Sequence, residues 1–137
     1  GDVTQVNHHG IDTLMTAGFT PVFCALTHDG NGQLLNTNAD TIASQIAIGM
    51  SEIYATSLYY CFELKGVLND IKDKESVIQK INSKTYQELL AAGTISAGML
   101  PKLENCFDAL QKGVQEVLIG NTTLLSKENN LHTKITL

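Results

Sequence analysis

The sequence contains no tryptophan, only two prolines and only three cysteines among its 137 residues. The cysteines, Cys24, Cys61 and Cys106, lie far apart and inside apolar runs. An odd number of cysteines without a Cys-x-x-Cys pair argues against both a disulfide framework and a zinc site. We therefore expect three reduced, buried thiols in a cytoplasmic protein.

Positive charge and long apolar runs are also scarce. Nine Lys and Arg residues against 14 Asp and Glu residues give a formal net charge of −5, and no basic cluster interrupts the chain. Nucleic-acid binding needs a basic patch, so we expect no nucleic-acid partner. No apolar run approaches the roughly 20 residues of a membrane-spanning helix, and no signal peptide opens the chain, so we expect no membrane partner.

The common catalytic signatures are missing as well. The sequence has no GxxxxGK[ST] loop, no GxGxxG, no HExxH and no GxSxG. His8 and His9 are adjacent, and neighbouring residues on a helix point in different directions. This pair therefore indicates two solvated side chains, not a metal site.

Apolar runs alternate with helical patterns along the chain. Continuous apolar runs predict buried strands, and these are residues 21–26, 57–62 and 114–119. Apolar stripes predict helices at 6–17, 40–50, 83–90 and 99–112, the third capped by Ser83. The alternation predicts one domain over residues 1–137 of the α/β class, a three-layer α/β/α sandwich with a mainly parallel sheet.

Three small polar side chains, Asn36, Asn38 and Asp40, stand between a short apolar run and one of these helices. Ligands of α/β proteins bind where the carboxyl ends of strands open onto helix N-termini. A purely structural interpretation also fits, with Asn38 as N-cap and Asp40 as a first-turn acid that suits the helix dipole.

Lys102 lies in the first turn of a predicted helix, where the helix dipole disfavours a cation. A surface lysine is one interpretation, and a lysine aimed at an anionic oxygen is the other. Three stretches could face one cleft at the strand ends, namely residues 36–40, 63–68 and 94–102. Amides, a carboxylate and a lysine suit phosphoryl transfer, which needs positioning and charge neutralisation.

At these residues the sequence is similar to a known family. Residues 36–43, Asn-Thr-Asn-Ala-Asp-Thr-Ile-Ala, resemble the N-x-N-A-D-x-x-A motif of acetylglutamate kinases, in the amino acid kinase family. Residues 98–102, Gly-Met-Leu-Pro-Lys, resemble that family's G-M-x-x-K motif, and the spacing between the two motifs also fits. Residues 17–22 and 30–35 are similar as well, so the resemblance runs along almost the whole chain.

The resemblance implies an ATP-dependent kinase that phosphorylates the side-chain carboxylate of an N-acylglutamate in arginine biosynthesis. It implies that Asn36 binds the amino acid substrate, that Lys102 neutralises the transferring phosphoryl group, and that Asp40 orients the catalytic lysines. The implied nucleotide-binding residues are Glu63, Leu64, Lys65, Gly66, Val67, Leu68, Thr94, Ile95 and Ser96. Mg²⁺ would arrive with ATP and no protein-built metal site is expected; the complete protein is expected to be a homo-oligomer.

The sequence departs from the family pattern in three places. Phe62-Glu63 replaces a usual Ser/Thr-Asp pair, Ala97 replaces a frequent glycine, and His132-Thr133 replaces Gly-Thr. The family's glycine-rich strand and first catalytic lysine would lie upstream of Gly1. The chain thus resembles the C-terminal, nucleotide-binding portion of an amino acid kinase fold, and we expect the isolated chain to be inactive. Alternatives are a non-catalytic nucleotide- or amino-acid-binding module of the same fold and a sibling kinase for another small acid.

Overall fold

The computed structural model describes residues 1–95, 98–126 and 131–137. The helices in these ranges are α1 (His8–Thr16), α2 (Ala39–Ser51), α3 (Ser83–Ala91) and α4 (Leu100–Gln111), with a short 3₁₀ helix at Thr122–Leu125. The strands are β1 (Leu26–His28), β2 (Leu34–Asn36), β3 (Ser57–Cys61), β4 (Lys80–Ile81), β5 (Glu116–Gly120) and β6 (Thr133–Ile135). Across the described ranges, no helix has the length and apolar character needed to cross a membrane.

Four strands form the main sheet, in the order β3-β5-β6-β4. The β3–β5 and β4–β6 pairs are parallel, and only β5 and β6 run antiparallel. The predicted α/β class with a mainly parallel sheet is therefore confirmed. Strands β1 and β2 form a separate antiparallel hairpin, and its turn contains Gly30 and Gly32 at φ values of 80° and 96°.

The core lies between β3, β5 and the helices α2 and α4. The β3 side chains alternate, with Leu58 and Tyr60 buried and their neighbours exposed. Helix α4 contributes the predicted stripe, in which Leu103 and Cys106 are fully buried. Burying one leucine side chain stabilises a fold by roughly 1.5–3 kcal/mol. Because α2 and α4 bury their apolar stripes in the same core, their first turns are held close together.

Asparagine caps three of the four α-helices in the described ranges. The side chains of Asn7, Asn38 and Asn82 accept hydrogen bonds from backbone N–H groups of α1, α2 and α3. The predicted cap at Asn38 is confirmed. The predicted cap at Ser83 is wrong by one residue, because the Asn82 carboxamide accepts the Thr85 N–H at 2.9 Å and makes Ser83 the first helical residue.

The predicted buried strand at residues 21–26 is wrong. Only its last residue, Leu26, lies in a strand, and Val22 and Phe23 are 92% and 51% exposed. A buried strand needs neighbours on both edges, and no described strand pairs with residues 21–25. The prediction of three buried thiols fails with it, since Cys24 and Cys61 are exposed and only Cys106 is buried.

Candidate active site

An ion pair joins the first turns of α2 and α4. The Lys102 ammonium nitrogen, Nζ, lies 2.6 Å from the Asp40 carboxylate oxygen Oδ1, although the two residues are 62 positions apart in the chain. The Lys102 side chain is only 16% exposed. The structure thus brings the residue 36–43 motif and the residue 98–102 motif into direct contact.

The helix ends explain why both charges are tolerated there. Asn38 accepts the N–H groups of Asp40 and Thr41 at 2.9 and 3.2 Å, which fixes the start of α2. A carboxylate in the first turn of a helix interacts favourably with the helix dipole, whereas a cation such as Lys102 does not. The attraction of the Asp40 carboxylate offsets the unfavourable interaction of Lys102 with the helix dipole. The ion pair therefore lies at the N-termini of both helices.

Tyr60 is the residue of this site that the sequence analysis missed. It is 5% exposed, its ring centroid lies 4.5 Å from Lys102 Nζ, and its hydroxyl donates a 2.8 Å hydrogen bond to the Asp40 carbonyl oxygen. Burial, and to a lesser degree the charges of Cys106 and Asp40, raise the pKa of the Tyr60 phenol, which stays a neutral donor. The available signal was a tyrosine inside a buried strand, because a buried hydroxyl needs a hydrogen-bond partner.

The start of α4 is open to an anion. Among the residues that the structure describes, no side chain caps α4, unlike the other α-helices, and Pro101 stands in its first turn. The first N–H groups of a helix have no intrahelical partner and attract anionic oxygens. A Cβ placed on Gly98 would meet no atom of the described residues within 4 Å, so these residues leave space beside the helix end. Together with the Lys102 ammonium, these groups can hold a phosphate or carboxylate oxygen.

Asn36 is the last residue of β2, and its side chain is exposed. It lies two residues before the cap Asn38, on the chain segment that leads into α2. Its carboxamide is accessible to a small molecule, and its role in substrate binding stays a prediction.

The loop at residues 63–68 follows β3 and is held tightly against β6. The Val67 N–H donates a 2.8 Å hydrogen bond to the Thr133 hydroxyl, and Lys65 Nζ lies 2.5 Å from a Glu75 carboxylate oxygen. A Cβ on Gly66 would stand 2.6 Å from that same hydroxyl oxygen, so only glycine fits there. This close packing fixes the backbone of the predicted nucleotide-binding loop.

The exposure of these loop residues decides which atoms a nucleotide could reach. Glu63 is exposed, Leu64 and Lys65 are half-buried, and Gly66, Val67 and Leu68 are buried. Val67 belongs to the main hydrophobic core. Residues 66–68 therefore offer little surface to a nucleotide, and the accessible part of the loop is residues 63–65.

The second predicted nucleotide-binding stretch follows α3. Ile95 is buried in the same hydrophobic core as Val67, and the Thr94 N–H bonds the Leu89 carbonyl at the end of the helix. Ser96 lies outside the described residues. The two predicted stretches are thus anchored in one core, while their contacts with a nucleotide stay predictions.

In the described part of the chain, no three His, Cys, Asp or Glu side chains converge in a way that could hold a metal ion. The donors at this site are instead the Lys102 ammonium and backbone N–H groups, which suit phosphate oxygens. Mg²⁺ is commonly bound through substrate phosphates with one or two carboxylates. The residues present therefore fit a nucleotide better than a free cation.

The α/β fold brings the N-x-N-A-D and G-M-x-x-K motifs, on which the family resemblance rests, to one helix junction. Residues 1–121 match the model described as the Amino acid kinase family. The chain belongs to this family, and the predicted family resemblance is confirmed.

The curated relatives at 53% and 51% identity are acetylglutamate kinases. The chain is 53% identical to the acetylglutamate kinase of Cytophaga hutchinsonii, over 98% of this chain and 53% of the relative. It is 51% identical to that of Bacteroides fragilis, over 98% of this chain and 51% of the relative. Among solved structures, smu.665 from Streptococcus mutans matches with a TM-score of 0.82 and 33% identity, over 99% of this chain and 50% of that one. The chain spans about half the length of the curated relatives it matches.

Proposed function

We propose that this chain is the C-terminal, nucleotide-binding portion of an acetylglutamate kinase. Such an enzyme transfers the γ-phosphoryl group of ATP to the side-chain carboxylate of N-acetyl-L-glutamate, or of another N-acylglutamate. The contact between Asp40 and Lys102 carries the proposal, because it joins the two motifs at one uncapped helix end. The names of the relatives at 53% and 51% identity support it.

The chemistry asks the protein for position and charge. A carboxylate oxygen of the substrate attacks the γ-phosphorus, the bond to the bridging oxygen of ATP breaks, and ADP leaves with that electron pair. The Lys102 ammonium neutralises the negative charge on the transferring group. Asp40 accepts one hydrogen bond from this ammonium and so orients it, without acting as a base. Asn36 binds the amino acid substrate.

The remaining predicted residues serve the nucleotide. The loop at residues 63–68 and the stretch at residues 94–96 line the ATP site, with Mg²⁺ entering on the phosphates. The product is an acyl phosphate, as expected for a step of arginine biosynthesis. Free cysteines fit an enzyme of the reducing cytoplasm.

The test uses the full-length protein in a coupled assay of ADP release. N-acetylglutamate, N-succinylglutamate and free glutamate are compared as substrates, and hydroxylamine traps the acyl phosphate as a hydroxamate. Lys102→Ala is expected to lower kcat by about 10²–10³-fold, as for other electrostatic stabilisers. Lys112→Ala is the matched control, since this exposed lysine is the C-cap residue of the same helix and pairs with Asp108.

Three outcomes would contradict the proposal. No turnover with either N-acylglutamate, together with retained ATP binding, would indicate a non-catalytic binding module. A preference for free glutamate would indicate a sibling kinase of the same fold. An unchanged kcat in Lys102→Ala would remove the assigned role of this lysine.

A further inference from the structure

Tyr60 makes two contacts with the ion pair at the same time. Its ring lies beneath the Lys102 ammonium, with 4.5 Å from Nζ to the ring centroid. Its hydroxyl donates a 2.8 Å hydrogen bond to the backbone carbonyl of Asp40. One side chain therefore contacts both members of the ion pair, from a third element of the fold, the strand β3.

The surroundings of Tyr60 leave it little freedom. Tyr60 is 5% exposed, and it shares the inward face of β3 with Leu58. Strand β3 is paired in parallel with β5, where the residue opposite Tyr60 is the fully buried Ile119. The ring position is thus fixed by the register of the central sheet and not by a mobile loop.

The number of N–H donors on the Lys102 ammonium determines how many partners it can have at once. A lysine ammonium has three N–H donors. The Asp40 carboxylate takes one, and the electron-rich ring face occupies a second direction by a cation–π interaction. The third is left for a ligand oxygen, and the Lys102 side chain keeps 16% exposure for that contact.

We propose that Tyr60 is a positioning residue that aims the Lys102 ammonium at the transferring phosphoryl group, while its hydroxyl anchors the first turn of α2 that carries Asp40. The inference rests on the proposed kinase function for its catalytic consequence. Its structural part, the ring beneath the ammonium, stands independently of turnover.

The first test is spectroscopic and needs no activity. Protons above an aromatic ring shift upfield in an NMR spectrum, so the CεH₂ signal of Lys102 is expected upfield of the other lysine signals. Lysine labelled with ¹³C at Cε is incorporated into the full-length protein, and Lys102→Arg assigns the signal. The shift is expected to persist in Tyr60→Phe and to vanish in Tyr60→Leu.

The second test is kinetic. Loss of a desolvated cation–π contact in Tyr60→Leu is expected to lower kcat roughly tenfold, with the KM values for ATP and the amino acid nearly unchanged. Tyr60→Phe retains the ring and is expected to restore most of this loss. Tyr59→Leu is the matched control, because Tyr59 neighbours Tyr60 in β3 but is exposed, with its hydroxyl 3.5 Å from Glu116.

The outcomes separate the two proposals. The absence of an upfield lysine signal in the wild-type protein would overturn the inference. So would a kcat of Tyr60→Leu equal to that of the wild type, or a kcat of Tyr60→Phe as low as that of Tyr60→Leu. An upfield signal in a protein without kinase turnover would overturn the proposed function and leave the ring position standing. If Tyr60→Leu does not fold, the wild-type signal and the kcat of Tyr60→Phe still decide.

Discussion

The hydroxyl of Thr133 accepts a 2.8 Å hydrogen bond from the Val67 N–H, across 66 residues of sequence. The same hydroxyl donates to the Ile78 carbonyl at 2.7 Å, and the side chain is fully buried. One side chain of β6 therefore links the predicted nucleotide-binding loop to the segment before β4 by two hydrogen bonds. The sequence departs from the family pattern at His132 and keeps the family's threonine at Thr133. This contact gives Thr133 a structural role.

Replacing Thr133 by valine is expected to destabilise the protein. Valine has nearly the same shape but leaves the buried Val67 N–H and the partly buried Ile78 carbonyl without this partner, at a cost of about 1–3 kcal/mol. Urea unfolding of the full-length protein measures the loss, and the KM for ATP is expected to rise because the loop loosens. Thr133→Ser keeps the hydroxyl and is the control; equal unfolding midpoints for the valine and serine variants would contradict this role.

The caps of α2 and α3 give a matched pair of variants. Asn38→Ala and Asn82→Ala each remove side-chain hydrogen bonds to the first turn of a helix, and each is expected to cost about 0.5–2 kcal/mol of stability. Only Asn38 precedes the turn that carries Asp40. We therefore expect similar losses in thermal unfolding but a lower kcat in Asn38→Ala alone. Equal kcat values in the two variants would separate the cap from the function of the site.

The alkaline limb of stability is expected to depend on Cys106. Burial raises the pKa of the Cys106 thiol from 9.0 to about 12, an effect that Lys102 partly counteracts and Asp40 strengthens. The unfolded chain therefore loses this proton first as the pH rises. The contribution is complete below pH 9 and is lost towards pH 12, with a slope of up to about 1.4 kcal/mol per pH unit.

Urea unfolding between pH 7 and pH 10.5 measures this slope. Cys106→Ala is expected to be less stable than the wild type at pH 7 but to lose the part of the slope that begins near pH 9. The buried Tyr60, whose pKa burial also raises above 10.0, still contributes at higher pH. Identical slopes of the unfolding free energy against pH in the wild type and in Cys106→Ala would show that burial does not keep the Cys106 thiol protonated. Cys61→Ala is the control, since that thiol is exposed.

Several elements of the fold could be predicted from local patterns in the sequence. The spacing of apolar residues predicted α2 and α4, and both helices are present with the expected stripes. Asn38 indicated the cap of α2, because side-chain capping is a local requirement. The run at residues 21–26 failed because strand formation depends on partner strands, which no local pattern contains.

The sequence by itself determined the family, through two short motifs whose residue types suit phosphate and carboxylate chemistry. It also named Asp40 and Lys102 as separate candidates. Only the tertiary structure decided that they meet at 2.6 Å, because that distance depends on how α2 packs against α4. It alone placed Tyr60 beneath the ammonium and Thr133 behind the loop, since both positions follow from the register of a sheet whose strands lie far apart in the chain.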